Sequence, residues 1–500
     1  MLLKNYTRLP LVPIFALLLF AFWQPAQCSD DTSTIHAPDE LQEVRKMVKD
    51  LKADESLPSI SVGVAQEGDV IWQESFGKAD REKRRDANPH TMYSTASISK
   101  PFTAAGIMLL AERGEIELDD AANNYLHTAK LHSPFYDADK VTIRMLLNHT
   151  AGLPLHYQFF YEDESYERPA MQESIGKYGL VVYEPGEHYQ YANFGYGVLD
   201  EIIANVSGIS YTDFMNRELF TPLGLYQTNV GIGSRQEELH AIRYSPNQKP
   251  IPYYDFDHRG ASAVYSSVHD LLRFGKYFTG SLEDEPDNFL SEDTRSEMKK
   301  PHENDYALGW IYRSHENGLS EVLHTGSMGG VSTILTMIPE TNTVITVLTN
   351  TRNPAPSEIA REAVYRLHPD RADDQGSSST REEEESIPEH LTDSWKGTII
   401  TYADTLDIEL TFRQTEDEEI HVQIDDQPKT LLNNPHYQDG RLSGQFQGSV
   451  ETEDAERRPY ILQLDGVVKE ESIRGALTAI SLPDDRLGNA LSSYVEFYPK

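Results

Sequence analysis

The residues of this 500-residue chain that could do covalent chemistry fall in three short stretches. The first is Ser97-Ile98-Ser99-Lys100, a serine and a lysine three positions apart. On a helix, positions i and i+3 share a face, so the lysine nitrogen can reach the serine hydroxyl. An apolar run follows (Phe102, Ala105, Ile107, Met108, Leu109), with Pro101 suited to a first turn and Gly114 to the end. This predicts a buried helix with Ser97 at its N-terminus, where the helix dipole leaves roughly half a positive charge. The chain holds at least two other S-x-x-K strings, and neither Ser174 to Lys177 nor Ser296 to Lys299 has such a helix behind it. Serine becomes a nucleophile only when a base takes its proton. Lys100 does so if neutral, which requires burial or a neighbouring charge to lower a pKa that is ordinarily about 10.4. The alternative base is a tyrosine phenolate stabilised beside the lysine.

Such a tyrosine stands in Tyr191-Ala192-Asn193, on the loop before an apolar helix from Val198 to Val206. In extended backbone, residues two apart share a side, so Tyr191 can pass protons while Asn193 holds a substrate amide. The third stretch is His324-Thr325-Gly326, read as the end of a strand, then Ser327-Met328-Gly329-Gly330. A strand ending in glycine lets a ligand approach the backbone. The N–H of Ser327 could pair with that of Ser97 as an oxyanion hole, each donor being worth roughly 3–4 kcal/mol. Taken singly, the second and third stretches also fit a tyrosine-rich packing loop and a glycine turn. No H-E-x-x-H, P-loop, G-x-G-x-x-G or G-x-S-x-G string is present, which removes the simplest metalloprotease, nucleotide-binding and α/β-hydrolase readings.

These stretches need a scaffold. Leu41, Val44, Met47, Val48 and Leu51 recur at helical spacing. A hairpin follows: Ile60, Val62 and Val64 alternate, Gly68-Asp69 turns, and Val70 to Phe76 returns. Residues 91 to 230 read as mainly helical. Strands are expected at Leu319 to His324, Val331 to Ile338 and Thr343 to Leu348, then a helix from Ser357 to His368. A sheet built from both ends around a helical insert is the economical solution. Asp370 to Glu385 reads as a solvated linker, and after it short alternating runs such as Leu406, Ile408, Leu410 and Phe412 predict a small antiparallel barrel or sandwich. The expected divisions are a signal peptide at 1–28, a catalytic domain at 29–368, a linker at 369–388 and an all-β domain at 389–500.

Composition narrows the partners. The formal charge of −36 disfavours nucleic acid and anionic membrane surfaces. Lys4 and Arg8 precede an apolar stretch from Leu9 to Trp23, too short for a membrane span of about 20 residues but suited to a signal peptide cleaved after Cys28. Secretion or a periplasmic location follows from that reading, with membrane binding confined to the alternatives of a lipid anchor at Cys28 or an uncleaved segment. A single cysteine excludes intramolecular disulfides and cysteine-rich zinc sites. No cofactor or metal is expected, and the partner is a small-molecule or peptide substrate.

In combination, S-x-x-K at 97, Y-x-N at 191 and H-T-G at 324 resemble the serine β-lactamase-like superfamily, in the branch of class C β-lactamases, D-Ala-D-Ala carboxypeptidases and related esterases. Leu146-Leu147-Asn148-His149-Thr150-Ala151-Gly152-Leu153-Pro154, Tyr306-Ala307-Leu308-Gly309-Trp310 and the 260–274 segment share the likeness, which spans about residues 40 to 368. It implies an α+β fold: a five-stranded antiparallel sheet with a helical domain, the site lying between them, followed by an all-β, lipocalin-like domain. Ser97 would be acylated, Lys100 and Tyr191 would form the base system, and Asn193, His324, Thr325 and Gly326 would bind substrate. His324 replaces the lysine of K-T-G members; as a cation it would attract a substrate carboxylate and titrate near pH 6.5. The implied activity is hydrolysis of D-amino-acid peptides or esters. A true β-lactamase, a non-catalytic sensor of penicillin or cell-wall peptides, and an adhesion scaffold are the alternatives.

Overall fold

The computed structural model describes residues 34–500 apart from 54–55, 233–237, 288, 303, 316–317, 370–386, 389–390, 392, 414–418 and 483–484. The expected signal segment, Cys28 and the acidic stretch from Asp370 to Glu385 lie outside the described residues.

The hairpin Ser59–Gln66 and Asp69–Asp80 turns at Glu67 and Gly68, whose φ angles of +52° and +93° suit the tight turns that match strand twist. Ser59–Gln66 then pairs in the middle of the sheet with Thr343–Thr349, Ile60 lying opposite Thr349. Five long antiparallel strands result, in the order Asp69–Asp80, Ser59–Gln66, Thr343–Thr349, Val331–Ile338, Ser320–Met328. Two short strands, Arg85–Asp86 and Ile311–Ser314, extend the edges to seven. The sheet is thus closed from both ends of the first 370 residues, with the helical insert between.

Each face of the sheet is covered by helices. Gln42–Ala53 and Ala355–Leu367 bury Val44, Val48, Ile359 and Ala363 against Val62, Val64 and Val347. On the other face Val268–Thr279 places Leu272 against Gly63 and Phe274 against Phe102, with ring centroids 4.0 Å apart. Phe102 belongs to the helix Ser99–Glu112, buried on every side from Ser99 to Leu110, so it is core throughout and cannot shift without disturbing both layers.

The late strand overturns one expectation. Ser320–Met328 runs four residues past His324, so His324-Thr325-Gly326 lies within the strand, and the turn falls at Gly329-Gly330. Ile311–Ser314 pairs only with residues 320 to 323. Among the described residues no strand lies beside the remaining outer edge, from His324 to Met328, which packs against the turn that carries Ser97.

The C-terminal part forms a nine-stranded antiparallel sheet. Its two edge strands, Thr430–Leu431 and Asn433–Gln438, are separated in the chain by Leu432 alone. The sheet therefore curls until its edges nearly meet, and Gln427 Nε2 donating to Ser449 O (2.9 Å) and Thr430 Oγ1 to Gln447 O (2.9 Å) tie the seam. This barrel-like sheet lies directly on the preceding domain. Tyr178 Oη donates to Asp454 (2.7 Å), Tyr183 Oη to Asp465 (2.9 Å), and Arg486 pairs with Asp163 (2.6 Å). Tyr157 forms a β-bridge with Ala490, and Leu180, Val182 and Tyr183 share an apolar cluster with Ala476 and Tyr494. Residues 34 to 500 form one compact unit.

The linker composition suggests a barrel that can be removed; this interface predicts otherwise. A chain ending at residue 386 exposes Leu180, Val182 and Tyr183 and leaves Asp163 and Glu164 without their arginines. We expect soluble yield to fall sharply and the remaining protein to melt at lower temperature than the full chain, by several degrees for each ~1 kcal/mol lost. A truncated protein that melts like the full chain would show that the interface contributes nothing.

Candidate active site

Ser97 lies in a one-turn 3₁₀ segment, Ala96–Ile98, that feeds the helix Ser99–Glu112. Ala96 holds φ = +49°, a strained value for a residue with a Cβ, and its neighbours fix it there. Ser99 Oγ donates to Ala96 O (2.7 Å) and accepts from Val264 N (3.0 Å). Thr95 N donates to Val264 O (2.9 Å), and Thr333 Oγ1 donates to Thr95 O (2.9 Å). Gly326 explains itself here. A Cβ on it would sit 2.2 Å from Thr95 O and 3.0 Å from Ala96 Cβ. The glycine expected to admit a ligand instead admits the nucleophile's own turn to the free strand edge.

Lys100 is fully buried, with Nζ 3.2 Å from Ser97 Oγ, 2.8 Å from Asn193 Oδ1 and 3.3 Å from Ala261 O. Burial pushes its pKa well below the usual lysine value. In the neutral form its two hydrogens go to the two carbonyl oxygens, and the remaining lone pair faces Ser97 Oγ. Tyr191 closes the other side, its ring centroid 4.7 Å from Nζ and its hydroxyl hydrogen-bonded to Ser97. Burial raises the Tyr191 pKa, and the bond to Ser97 offsets only part of that. Burial thus favours the neutral form of both groups, the amine of Lys100 and the phenol of Tyr191.

The Tyr191 loop is held from behind. His149 sits with its ring centroid 4.4 Å from that of Tyr191, and its Nδ1 accepts from Ala192 N (3.2 Å). Burial, then the nearby Lys100, drives its pKa well below 6.5, so it is a neutral packing element. Asn193 begins the helix Asn193–Ser207, which is why its amide arrives beside the lysine.

His324 departs from expectation. It is buried, its Nδ1–H donates to Thr325 O (2.7 Å), and its Nε2 accepts from Tyr306 Oη (3.0 Å). Burial first, then Lys100, lowers its pKa to about 3. It is a neutral strut between the strand and Tyr306, and the cationic reading with a titration near pH 6.5 does not hold. Thr325 is half-buried beside it.

Ser97, Asn193 and Ser327 open together on a cavity of about 220 Å³, whose other walls are Tyr157, Phe159, Phe256, His258, Ser262, Met328, Arg352 and Leu487. Ser97 and Ser327 thus line the same cavity. Several of these residues escaped the sequence reading. Arg352, on the loop after Thr343–Thr349, is exposed and, among the described residues, is the one ammonium or guanidinium group lining the cavity. Leu487 comes from the C-terminal sheet, fixed by Tyr161 Oη donating to its carbonyl (3.0 Å) and by Phe159 N donating to Asn489 Oδ1 (3.0 Å). Neither carries a motif; only the folded chain brings them in.

A serine at a helix start, a buried lysine one turn along, a loop tyrosine and an open strand edge define a serine acyl-transfer site on an α+β scaffold. A family model for beta-lactamases matches residues 44–369, and the chain belongs to the beta-lactamase family of serine hydrolases. Among curated relatives it is 30% identical over 302 residues to Penicillin-binding protein 4* of Bacillus subtilis (strain 168), covering 55% of this chain and 64% of that protein. It is 25% identical over 325 residues to Protein flp of Staphylococcus aureus (strain N315), covering 62% and 63%. The matched span is thus less than two thirds of either relative. In fold, it resembles the octameric penicillin-binding protein homologue from Pyrococcus abyssi (TM-score 0.58, 22% identity, 91% of this chain and 99% of that one). It also resembles a class C beta-lactamase (TM-score 0.57, 19% identity, 66% and 99%). Coverage of 91% extends past residue 368 into the C-terminal sheet; coverage of 66% need not.

Two predictions follow from these charges. The unfolded chain keeps the Lys100 proton up to about pH 10.4, whereas the folded chain releases it at lower pH. Between those values folding releases a proton, so stability falls as pH falls. Lys100→Met should therefore be at least as stable as wild type, with the largest advantage at low pH, while acylation drops roughly 10²–10⁴-fold. A variant that melts lower at every pH would contradict the assigned burial cost. For His324, ring NMR shifts should stay constant from about pH 5 to 8; a titration near 6.5 would return it to the solvent-facing role.

Proposed function

We propose that this chain is an exported hydrolase that forms an acyl-enzyme on Ser97 and acts on small carbonyl substrates bearing an anionic group, D-amino-acid peptides foremost and esters second. The observation that carries it is the placement of Lys100 Nζ, within 3.3 Å of three oxygens of which only Ser97 Oγ has a proton to give. In this reading Lys100 takes that proton as Oγ attacks the carbonyl carbon. Tyr191 passes it to the departing amine or alcohol, and the backbone N–H groups of Ser97 and Ser327 hold the developing oxyanion. Asn193 holds Lys100 and offers its amide to the substrate.

Arg352 supports the anionic substrate. It provides at the rim the positive charge that His324 cannot, being neutral and turned inward. A cavity of about 220 Å³ is smaller than the usual 300–1,000 Å³ of drug-sized sites. That size favours a short acyl group over the bulky side chains of many β-lactams, so β-lactam turnover is the second reading. A sensor that binds without turnover has no use for a complete base system.

The test is a panel of D-Ala-D-Ala peptides, p-nitrophenyl acetate and a chromogenic cephalosporin, with intact-mass detection of the adduct. Wild type should gain an acyl mass that Ser97→Ala never shows. Arg352→Gln should raise KM for the carboxylate-bearing peptide on the order of tenfold, as loss of a charge-assisted bond requires, and leave the neutral ester unchanged. Equal effects on both substrates would remove Arg352 from anion recognition; absence of any adduct would remove the acyl-enzyme.

A further inference from the structure

One wall of the cavity holds a group that the acylation machinery does not use. Asp257 and His258 follow the strand Tyr254–Phe256 and precede the short helix Arg259–Ser262. The Asp257 carboxylate is wholly buried and accepts from His156 Nε2 (2.6 Å), His258 Nδ1 (2.5 Å) and Gln158 N (3.2 Å). Burial opposes its charge, but the two imidazoles outweigh burial and hold it ionised. With Nδ1–H committed to Asp257, His258 has its lone pair on Nε2. Among the described residues no protein group bonds that atom, although the residue is only 1% exposed and lines the same cavity as Ser97.

The turn is built to hold this position. Gly260 N donates to Asp200 Oδ2 (2.7 Å), Thr103 Oγ1 donates to Gly260 O (2.6 Å), and Ala261 O faces Lys100 Nζ. Gly197, in the helix that starts at Asn193, lets the turn pack against it; a Cβ there would lie 3.0 Å from His258 Cβ. Burial lowers the pKa of His258, with the Asp257 pairing opposing and the nearby Lys100 assisting. The ring is thus a neutral acceptor backed by a fixed carboxylate, the arrangement that suits a general base.

We propose that His258, oriented by Asp257, is the base of the second half-reaction, hydrolysis of the acyl group from Ser97. This rests on the acyl-enzyme reading above. A water in the cavity gives one proton to His258 Nε2 as its oxygen bonds to the acyl carbon. The bond between that carbon and Ser97 Oγ then breaks, the imidazolium returns the proton to Oγ, and the carboxylic acid leaves. Acylation runs on Lys100 and Tyr191, so the two half-reactions use different bases.

The experiment is pre-steady-state and steady-state kinetics of p-nitrophenyl acetate on full-length wild type, His258→Gln and Asp257→Asn, with intact mass of the quenched protein. Expected for His258→Gln is a retained acylation burst and an acyl adduct that accumulates at Ser97. kcat and KM should fall together, on the order of 10²-fold or more, with kcat/KM preserved. Asp257→Asn should show the same partition more weakly. Where His258→Gln does not fold, the Asp257 variant carries the same comparison. A drop in kcat/KM without adduct accumulation, or unchanged turnover in a folded variant, overturns the assignment while leaving Ser97 intact. A wild type that never shows an adduct overturns the acyl-enzyme itself.

Discussion

An amine removed from water is the constraint on which the rest depends. Lys100 is useful as a base only if its proton is unstable, and burial makes it so. A buried amine also needs partners, and the chain provides them from three separate elements: the helix of Lys100 itself, the start of the Asn193–Ser207 helix and the turn at Ala261. Much of the remaining packing keeps those elements in register. The Ser99–Glu112 helix is core on every side, the Gly326 contact brings the Ser97 turn against the sheet, and Thr103 and Asp200 clamp the 260 turn. A site that depends on a buried amine is best held by rigid, packed elements.

The C-terminal sheet belongs to the same logic. It reaches the site through Leu487, braces the 157–161 segment through Asn489 and Ala490, and touches the residue before the relay tyrosine through Arg441 and Gln190 (3.3 Å). Much of this interface is polar or charged (Tyr178 with Asp454, Tyr183 with Asp465, Arg458 with Glu164, Arg486 with Asp163), and its pairs are partly buried. Together with the apolar cluster of Leu180, Val182 and Tyr183 on Ala476 and Tyr494, these pairs both orient the sheet and tie it to the preceding domain.

Chemistry carried by a short spacing was legible in the sequence; chemistry assembled from distant loops was not. Ser97 and Lys100 are one helical turn apart, and the apolar run behind them announces their helix. Tyr191 and Asn193 are likewise local. The five long strands showed themselves by alternation, but two were underread in length: Asp69–Asp80 runs past Phe76 and Ser320–Met328 past His324, where polar or small residues end the apolar signal while the backbone pairing continues. Arg352, His258 and Leu487 had no local signature at all. Each is a single residue on a connecting segment, and its meaning comes from contacts more than 90 residues away in sequence. The His324 charge was misjudged for a related reason: residue type sets a reference pKa, but burial and the Tyr306 partner lie outside the motif.

The two histidines show how environment divides identical chemistry. His324 and His258 are both buried, both close to Lys100 and both held neutral. His324 spends both ring nitrogens on the protein, on Thr325 O and Tyr306 Oη, and has none left for a ligand. His258 spends one, on a carboxylate, no group among the described residues bonds the other, and the residue lines the cavity. The difference is in the partner of Nδ1. A backbone carbonyl fixes a ring; an ionised carboxylate fixes it and also stabilises the imidazolium that proton uptake would create. Asp257 therefore makes sense as more than packing. A carboxylate buried among aromatic rings and held by two imidazoles and the Gln158 N–H is costly to keep unless its charge is used, and His258, which it orients, lines the cavity that Ser97 faces.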